Sequence, residues 1–137
     1  MPRDQDSQSR LDRALTVLQG LSVGDAFGQQ FFSPVVQESC LATRKLPPPI
    51  WEYTDDTEMA VAIVEILAAH GRVERAALAM RFAERFVAAP LRGYGPAAIR
   101  ILPAIRQGES WRTVSKAAFG GAGSLGNGGA MRAAPIG

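Results

Sequence analysis

Three consecutive residues with oxygen-bearing side chains, Thr54, Asp55 and Asp56, are the first candidates for chemistry in this sequence. Two adjacent carboxylates and a hydroxyl are hard oxygen ligands of the kind that Mg²⁺ and Mn²⁺ prefer. The same residues also suit helix capping, because Asp55 as N-cap and Glu58 three positions later form a capping box. Acids in a first helical turn also favour the helix macrodipole. This stretch by itself therefore leaves a metal site and a capping role open.

A glycine-rich segment, residues 120–129, is the second candidate and is called the glycine loop below. Its main-chain N–H groups can approach an anion closely, and Ser124 and Asn127 could hydrogen-bond a phosphate. Three of its glycines match the pattern G-x-G-x-x-G, but a helical segment rather than a strand precedes them, so the dinucleotide interpretation fails. A flexible linker remains the alternative. The three glycines are Gly121, Gly123 and Gly126.

Composition and the other reactive residue types exclude several functions. Cys40 is the only cysteine, which excludes an intramolecular disulfide, and His70, the only histidine, is expected to end a helix. Fifteen basic residues face thirteen acids without clustering, which argues against a nucleic-acid groove. The longest apolar stretch, residues 59–69, is interrupted by Glu65 and is too short to span a bilayer. We therefore expect a cytoplasmic protein that binds neither nucleic acid nor membrane.

The elements that must position the first candidates follow from apolar spacing. Leucines and alanines at helical spacing over residues 11–21 predict an amphipathic helix that ends or bends within residues 24–28. Asp25 in that segment could orient a metal ligand or simply occupy a glycine turn. The polar residues 1–9 are expected to be a disordered tail. Residues 33–52 contain four prolines and predict an extended loop.

Four further helices and no strand are predicted downstream, so the fold class is all-α. Pro103 is expected to kink one of them. The chain stops eight residues after the glycine loop, which leaves several apolar stripes with few partners. We therefore expect residues 10–137 to form the N-terminal part of one truncated helical domain. The four helices are expected over about 54–71, 73–89, 96–108 and 111–119.

Three segments, taken together and in order, resemble the ADP-ribosylglycohydrolase family. They lie at residues 20–28, 53–60 and 126–137, and the connecting segments at residues 92–95 and 108–111 are similar as well. The match in order and spacing runs from about residue 10 to the end. The segments read Gly24-Asp25-Ala26-Phe27-Gly28, Thr54-Asp55-Asp56-Thr57-Glu58 and Gly126-Asn127-Gly128-Gly129-Ala130-Met131-Arg132.

The resemblance implies an all-helical hydrolase that releases ADP-ribose from a modified protein side chain or a small molecule. Two divalent metals, Mg²⁺ or Mn²⁺, would assist cleavage of the glycosidic bond at the anomeric carbon of the ribose. It implies metal ligation by Thr54, Asp55 and Asp56, with both aspartates in the catalytic centre. It also implies an ADP-ribose pocket supported by Asp25 and lined, mainly at the phosphates, by Ser124, Gly126, Asn127 and Gly128.

Two departures from the family pattern lead us to expect an incomplete site. Phe32 stands where family members often carry a glutamate, and no Asp-x-Asp-Thr segment follows Asp56 to supply the second half of the ligand set. Two other hypotheses stay open. The chain could be a non-catalytic module that binds ADP-ribose or another nucleotide with its glycine loop. Alternatively, it could be a helical interaction domain in which the acids are only caps.

Overall fold

The computed structural model describes the backbone of residues 2–137 and the side chains of residue 6 and residues 8–137. Its regular elements are all helical, with no strand in residues 2–137, so the predicted all-α class is confirmed. No helix in this part of the chain is long and apolar enough to cross a bilayer. The helices are α1 (Pro2–Gln30), α2 (Pro34–Thr43), α3 (Asp55–His70), α4 (Arg75–Ala88), α5 (Pro96–Arg106) and α6 (Trp111–Ala117). Short 3₁₀ turns follow at Ala118–Gly121, Asn127–Gly129 and Ala134–Ile136.

Helix α1 is longer than the sequence predicted. It continues through Gly24 and Gly28 to Gln30 without the expected end or bend. Glycine inside a helix costs about 1 kcal/mol relative to alanine. Packing of α1 along α3 and against the last 3₁₀ turn offsets that cost. The predicted disordered tail also differs from the structure, because residues 2–9 belong to α1, while Met1 lies outside the described residues.

Helix α2 corrects the prediction of an extended loop over residues 33–52. Its Pro34 lies at the first helical position. There the missing N–H has no intrahelical acceptor in any case, and the fixed φ suits the helix. The prolines at 47–49 fall in the irregular segment between α2 and α3, as the sequence predicted.

Helix α3 lies at the centre of the fold, between α1 and α4. Ala60 and Ala62 are completely buried, and such small side chains let neighbouring helices approach closely. Gly71 ends the helix with φ +65°, a left-handed conformation that glycine adopts without strain. The α3 residues pack with α4 and α5 around a core of Met59, Ala83, Phe86, Tyr94, Leu102 and Ile105.

The first turn of α3 differs in detail from the predicted capping box. Thr54, rather than Asp55, is the N-cap, and its side chain accepts a hydrogen bond from Asp56 N. Glu58 does not return to the N-cap, because its carboxylate binds Tyr53 and Arg85 instead. The capping-box prediction is therefore wrong in its N-cap residue, and the side chain of Asp55 is left free of a capping role.

Candidate active site

The carboxylate of Asp25 binds the N-terminus of α3. Its Oδ2 atom accepts hydrogen bonds from Thr54 N (2.8 Å), Thr57 N (3.2 Å) and Thr57 Oγ1 (2.6 Å). Its Oδ1 atom accepts one from Thr54 Oγ1 at 2.6 Å. Two backbone N–H groups that a helix cannot satisfy internally are thus satisfied by an acid from α1. The negative charge also complements the positive end of the α3 macrodipole.

The continuation of α1 past residue 24 is what makes this contact possible. Asp25 is one turn and a half from the end of the helix, so the helical backbone fixes its position. Gly24 and Gly28 lie on either side of it, and a Cβ atom added to either would meet no other atom within 4 Å. Both glycines line the cavity in front of α3. Their missing side chains therefore keep that cavity open.

Asp55 and Asp56 lie at the first two positions of α3, on the wall of a cavity of about 530 Å³ that is called the acidic cavity below. Asp55 N donates a hydrogen bond of 2.7 Å to the main-chain oxygen of Arg92, in the α4–α5 loop. Residues from α1, α3, that loop and the glycine loop meet here. The polar lining includes Asp25, Thr54, Asp55, Asp56 and Asn127.

The two acids form a concentrated negative site. Burial, then the charges of Asp56 and Asp25, raise the pKa of Asp55, and the more distant Arg132 opposes the rise. Burial and the charge of Asp25 likewise raise the pKa of Asp56. Among the described side chains, neither acid forms an ion pair with a lysine or arginine. A bound cation would remove this electrostatic cost.

The donor atoms at the site suit a hard divalent cation. Asp55 and Asp56 offer carboxylate oxygens, and Thr54 Oγ1 lies 3.2 Å from Asp56 Oδ2. The described residues contain no group of three or more His, Cys, Asp or Glu side chains arranged as a metal cage. The carboxylate of Asp25 is occupied by hydrogen bonds to Thr54 and Thr57. The residues present thus fit Mg²⁺ or Mn²⁺ whose other ligands are water or further oxygen donors.

The structure divides the predicted ADP-ribose residues between two cavities. Asn127 lines the acidic cavity with Asp55 and Asp56. Ser124, Gly126 and Gly128 line a second cavity of about 480 Å³. The walls of the second cavity are mostly apolar and come from α4, α5 and α6, with Phe82, Ile101 and Trp111 among them. The glycine loop therefore forms part of both cavities.

Glycine at position 128 is not required by the backbone. Its φ lies outside the left-handed region, and an added Cβ atom would meet nothing within 4 Å. Gly123, by contrast, has φ +84°, where a side chain would be strained. Gly126 lies under the side chain of Ser124, because an added Cβ atom would be 3.2 Å from Ser124 Oγ. That hydroxyl accepts a hydrogen bond of 2.9 Å from Gly126 N, which closes the turn.

Comparison with known sequences identifies the family of this chain. The sequence profile of the ADP-ribosylglycohydrolase family matches residues 6–137. The chain belongs to this family. It is 33% identical over 136 residues to the ADP-ribosylhydrolase ARH3 of Danio rerio, a match that covers 92% of this chain and 37% of that relative. It is 40% and 41% identical to the ARH3 proteins of Gallus gallus and Homo sapiens, over 61% of this chain and 23% and 24% of theirs.

The chain thus spans between about a quarter and a little over a third of the length of these relatives. Phe32 is the residue at which the sequence analysis expected a departure from the family pattern. This residue lines the acidic cavity with Asp25 and Asp55, and its side chain is 84% exposed. An apolar ring therefore lies at the rim of the site.

Two arginines make contacts near the site that the sequence analysis did not predict. Arg132 follows the glycine loop, with its guanidinium carbon 4.6 Å from the centre of the Phe82 ring and Nη1 2.8 Å from Met59 Sδ. Its charge opposes, but does not cancel, the rise that burial and the neighbouring acids cause in the pKa of Asp55. Arg92 binds the segment that enters α3. Both arginines lie in segments that resemble the family, but spacing in the sequence gives no sign of which residues they contact.

Proposed function

We propose that this chain carries the acidic and phosphate-binding side of a hydrolase that cleaves the glycosidic bond between ADP-ribose and a modified side chain or small molecule. The observation that carries the proposal is the meeting of Asp55 and Asp56 with Asn127 of the glycine loop in one cavity. The family membership supports the same conclusion. The named relatives are ADP-ribosylhydrolases, which supports ADP-ribose as the group released.

Metal dependence is part of this proposal. Asp55 and Asp56 would hold Mg²⁺ or Mn²⁺, and Thr54 could add its hydroxyl oxygen, because its proton is donated to Asp25 and a lone pair remains free. When bound, a divalent cation supplies positive charge that holds the ribose hydroxyls and prepares a water. The two carboxylates explain why such an ion would favour this position, since their charges are not neutralised by any described lysine or arginine.

The chain's own residues would act by orientation and charge. In the hydrolysis, the bond from the anomeric carbon to the leaving group breaks, and its electron pair stays with the leaving group. A water oxygen bonds to the anomeric carbon, and the proton that this water loses balances the one that the leaving group takes up. Positive charge develops on the ribose at the transition state, and Asp55 and Asp56 would act on it by holding the cation, and with it the ribose hydroxyls and the attacking water, in position. Asn127 and the main-chain N–H groups of the glycine loop would hold the diphosphate, and Asp25 would keep Thr54 in place.

Thermal unfolding with and without Mn²⁺ and ADP-ribose tests the metal site. We expect the wild-type Tm to rise with Mn²⁺ and to rise further with both ligands. A ligand present at a hundred times its Kd should raise the free energy of unfolding by about 2.7 kcal/mol. Asp55→Asn and Asp56→Asn should abolish the Mn²⁺ effect without lowering the ligand-free Tm, since they remove repulsion between the acids. Asp12→Asn, an exposed change on α1, is the matched control. An equal Mn²⁺ effect in all variants would contradict metal binding here.

Release of ADP-ribose separates the enzyme from a non-catalytic module. The chain is incubated with Mn²⁺ and peptides that carry ADP-ribose on arginine or serine, and free ADP-ribose is measured. Release that depends on Asp55 and Asp56 supports the hydrolase. Binding of ADP-ribose without release supports the binding module instead, and the absence of both supports a helical interaction domain.

Replacing Gly128 by alanine tests the glycine loop. The unfolding free energy should stay equal or rise by up to about 1 kcal/mol, because the position tolerates a side chain. The affinity for ADP-ribose should fall about tenfold, because the new methyl group occupies space that the ligand needs. Gly20→Ala, on the exposed side of α1, should give a similar stability change and no change in affinity. Wild-type affinity in Gly128→Ala would contradict the proposed diphosphate site.

A further inference from the structure

The geometry points to a positioning role for Arg92, which together with Tyr53 forms a clamp that fixes Asp55 in the orientation used for metal binding. This Tyr53–Arg92 clamp rests on the proposed function, since it concerns the same acidic cavity. Neither residue lines that cavity among the described residues. The clamp therefore acts through Asp55, and neither of its residues is a catalytic residue.

Arg92 makes two contacts with Tyr53 and one with Asp55, the first residue of α3. Its guanidinium carbon lies 4.0 Å from the centre of the Tyr53 ring, within the range of a cation–π interaction. Its Nη1 donates a hydrogen bond of 3.1 Å to Tyr53 O. Its own main-chain oxygen accepts a hydrogen bond of 2.7 Å from Asp55 N. One residue of the α4–α5 loop thus binds both the residue two positions before Asp55 and Asp55 itself.

The side chain of Tyr53 is held at its other end by α3. Its hydroxyl donates a hydrogen bond of 2.9 Å to Glu58 Oε1, and Glu58 in turn accepts one of 2.7 Å from Arg85 Nε. The side chain of Tyr53 therefore cannot rotate away without breaking its contacts at the ring and at the hydroxyl. The ring, in turn, provides a fixed surface for the guanidinium of Arg92.

The clamp complements the grip of Asp25 on the same helix end. Asp25 binds Thr54 and Thr57 from α1, whereas Arg92 binds Tyr53 and Asp55 from the α4–α5 loop. Because α1 and the α4–α5 loop both bind it, the backbone of residues 53–57 has little freedom to move. A ligating carboxylate needs such support, because a site must be held within about 0.5 Å of its productive geometry.

Arg92 orients Asp55 without neutralising it. Its only ion pair within the described side chains is a contact of 3.6 Å with the exposed Glu52, and its guanidinium lies on the ring of Tyr53. Gly93 then turns the chain with φ +88°, and a Cβ atom there would be 3.9 Å from Asp55 Oδ1. The loop thus approaches Asp55 with its backbone and leaves the carboxylate charge available for a cation.

A titration of the 137-residue chain with Mn²⁺, followed by electron paramagnetic resonance, tests the clamp. Arg92→Met and Tyr53→Leu should each weaken Mn²⁺ binding about tenfold, as outer-shell partners of metal ligands generally do. The double variant should be no weaker than the worse single variant, because the two side chains act as one unit. Arg81→Met, which removes an exposed arginine of α4 far from the acids in sequence, should bind like the wild type.

Amide exchange adds a readout that does not need the metal. Arg92→Met should reduce the protection of the Asp55 amide against exchange, and Arg81→Met should not. If Arg92→Met proves unstable, Arg92→Lys keeps the charge and one donor and should show the same two effects more weakly. Wild-type Mn²⁺ affinity in Arg92→Met would overturn the clamp and leave the proposed function standing. If the wild type binds no Mn²⁺, the proposed function fails, and unchanged Asp55 protection in Arg92→Met would then overturn the clamp as well.

Discussion

Replacing Arg85 by methionine is expected to lower the free energy of unfolding by about 3–5 kcal/mol, because it leaves a buried carboxylate without its cationic partner. The Glu58 side chain is 6% exposed and that of Arg85 is 24% exposed. Arg85 Nε lies 2.7 Å from Glu58 Oε2, and Nη1 lies 3.0 Å from Glu65 Oε1. Without Arg85, Glu58 would retain only the hydroxyl of Tyr53 as a described side-chain partner.

Urea denaturation of three variants checks this expectation. Arg85→Met combined with Glu58→Gln should recover most of the loss, because no charge is then buried and the glutamine oxygen can still accept from Tyr53. Arg81→Met is the control, since its ion pair with Glu84 is exposed and worth less than about 1 kcal/mol, and Glu65, its partly exposed second partner, keeps Arg85. A loss in Arg85→Met no larger than in Arg81→Met would show that Glu58 does not depend on its partner.

The helices of the middle of the chain could be predicted because their signals are local. Thr54 and Gly71 bound α3, and Pro96 begins α5, all within a residue or two of their predicted places. In each case a capping residue and an apolar stripe agree. Local agreement of this kind needs no knowledge of the rest of the chain.

The ends of α1 and the existence of α2 could not be predicted in the same way. Gly24 and Gly28 are local signals against helix, yet α1 continues through both because it packs on α3 and because Asp25 binds the α3 N-terminus. Pro34 is a local signal against helix in most positions, but here it lies at the one helical position that favours proline. In α1, tertiary contacts outweigh the low helix propensity of the glycines. In α2, the position of the proline within the helix determines that the helix can form.

The candidate site was predictable by residue type but not by contact. Adjacent carboxylates predicted a cation site, and the structure places Asp55 and Asp56 on one cavity with Asp25 and Asn127. The metal and ligand roles themselves remain predictions. The contact of Arg92 with Tyr53 joins residues 39 positions apart, and no spacing rule connects them. Such contacts follow from how the α4–α5 loop is placed by the packing of the two helices that it joins.

Replacing Asp25 by alanine is expected to lower the free energy of unfolding by about 2–4 kcal/mol, because hydrogen bonds to a charged acceptor are worth about 1.5–3 kcal/mol each and do not add fully. Four hydrogen-bond donors lose their acceptor. They are the N–H and hydroxyl groups of Thr54 and Thr57. Thr57 is 5% exposed, so water cannot easily replace the carboxylate there. Asp25→Asn should lose about half as much, since one amide oxygen can still accept while the NH₂ group faces donors.

Binding measurements distinguish a structural from a functional role of Asp25. If Asp25 orients the start of α3, Asp25→Asn should weaken Mn²⁺ binding by about tenfold or more at a temperature where the variant is fully folded. Asp12→Asn, an exposed acid on the same helix, should change neither stability nor binding. Reduced stability with wild-type Mn²⁺ affinity would mean that Asp25 only caps α3. Asp55 and Asp56 would then keep their geometry without help from α1, and the Tyr53–Arg92 clamp would be their main support.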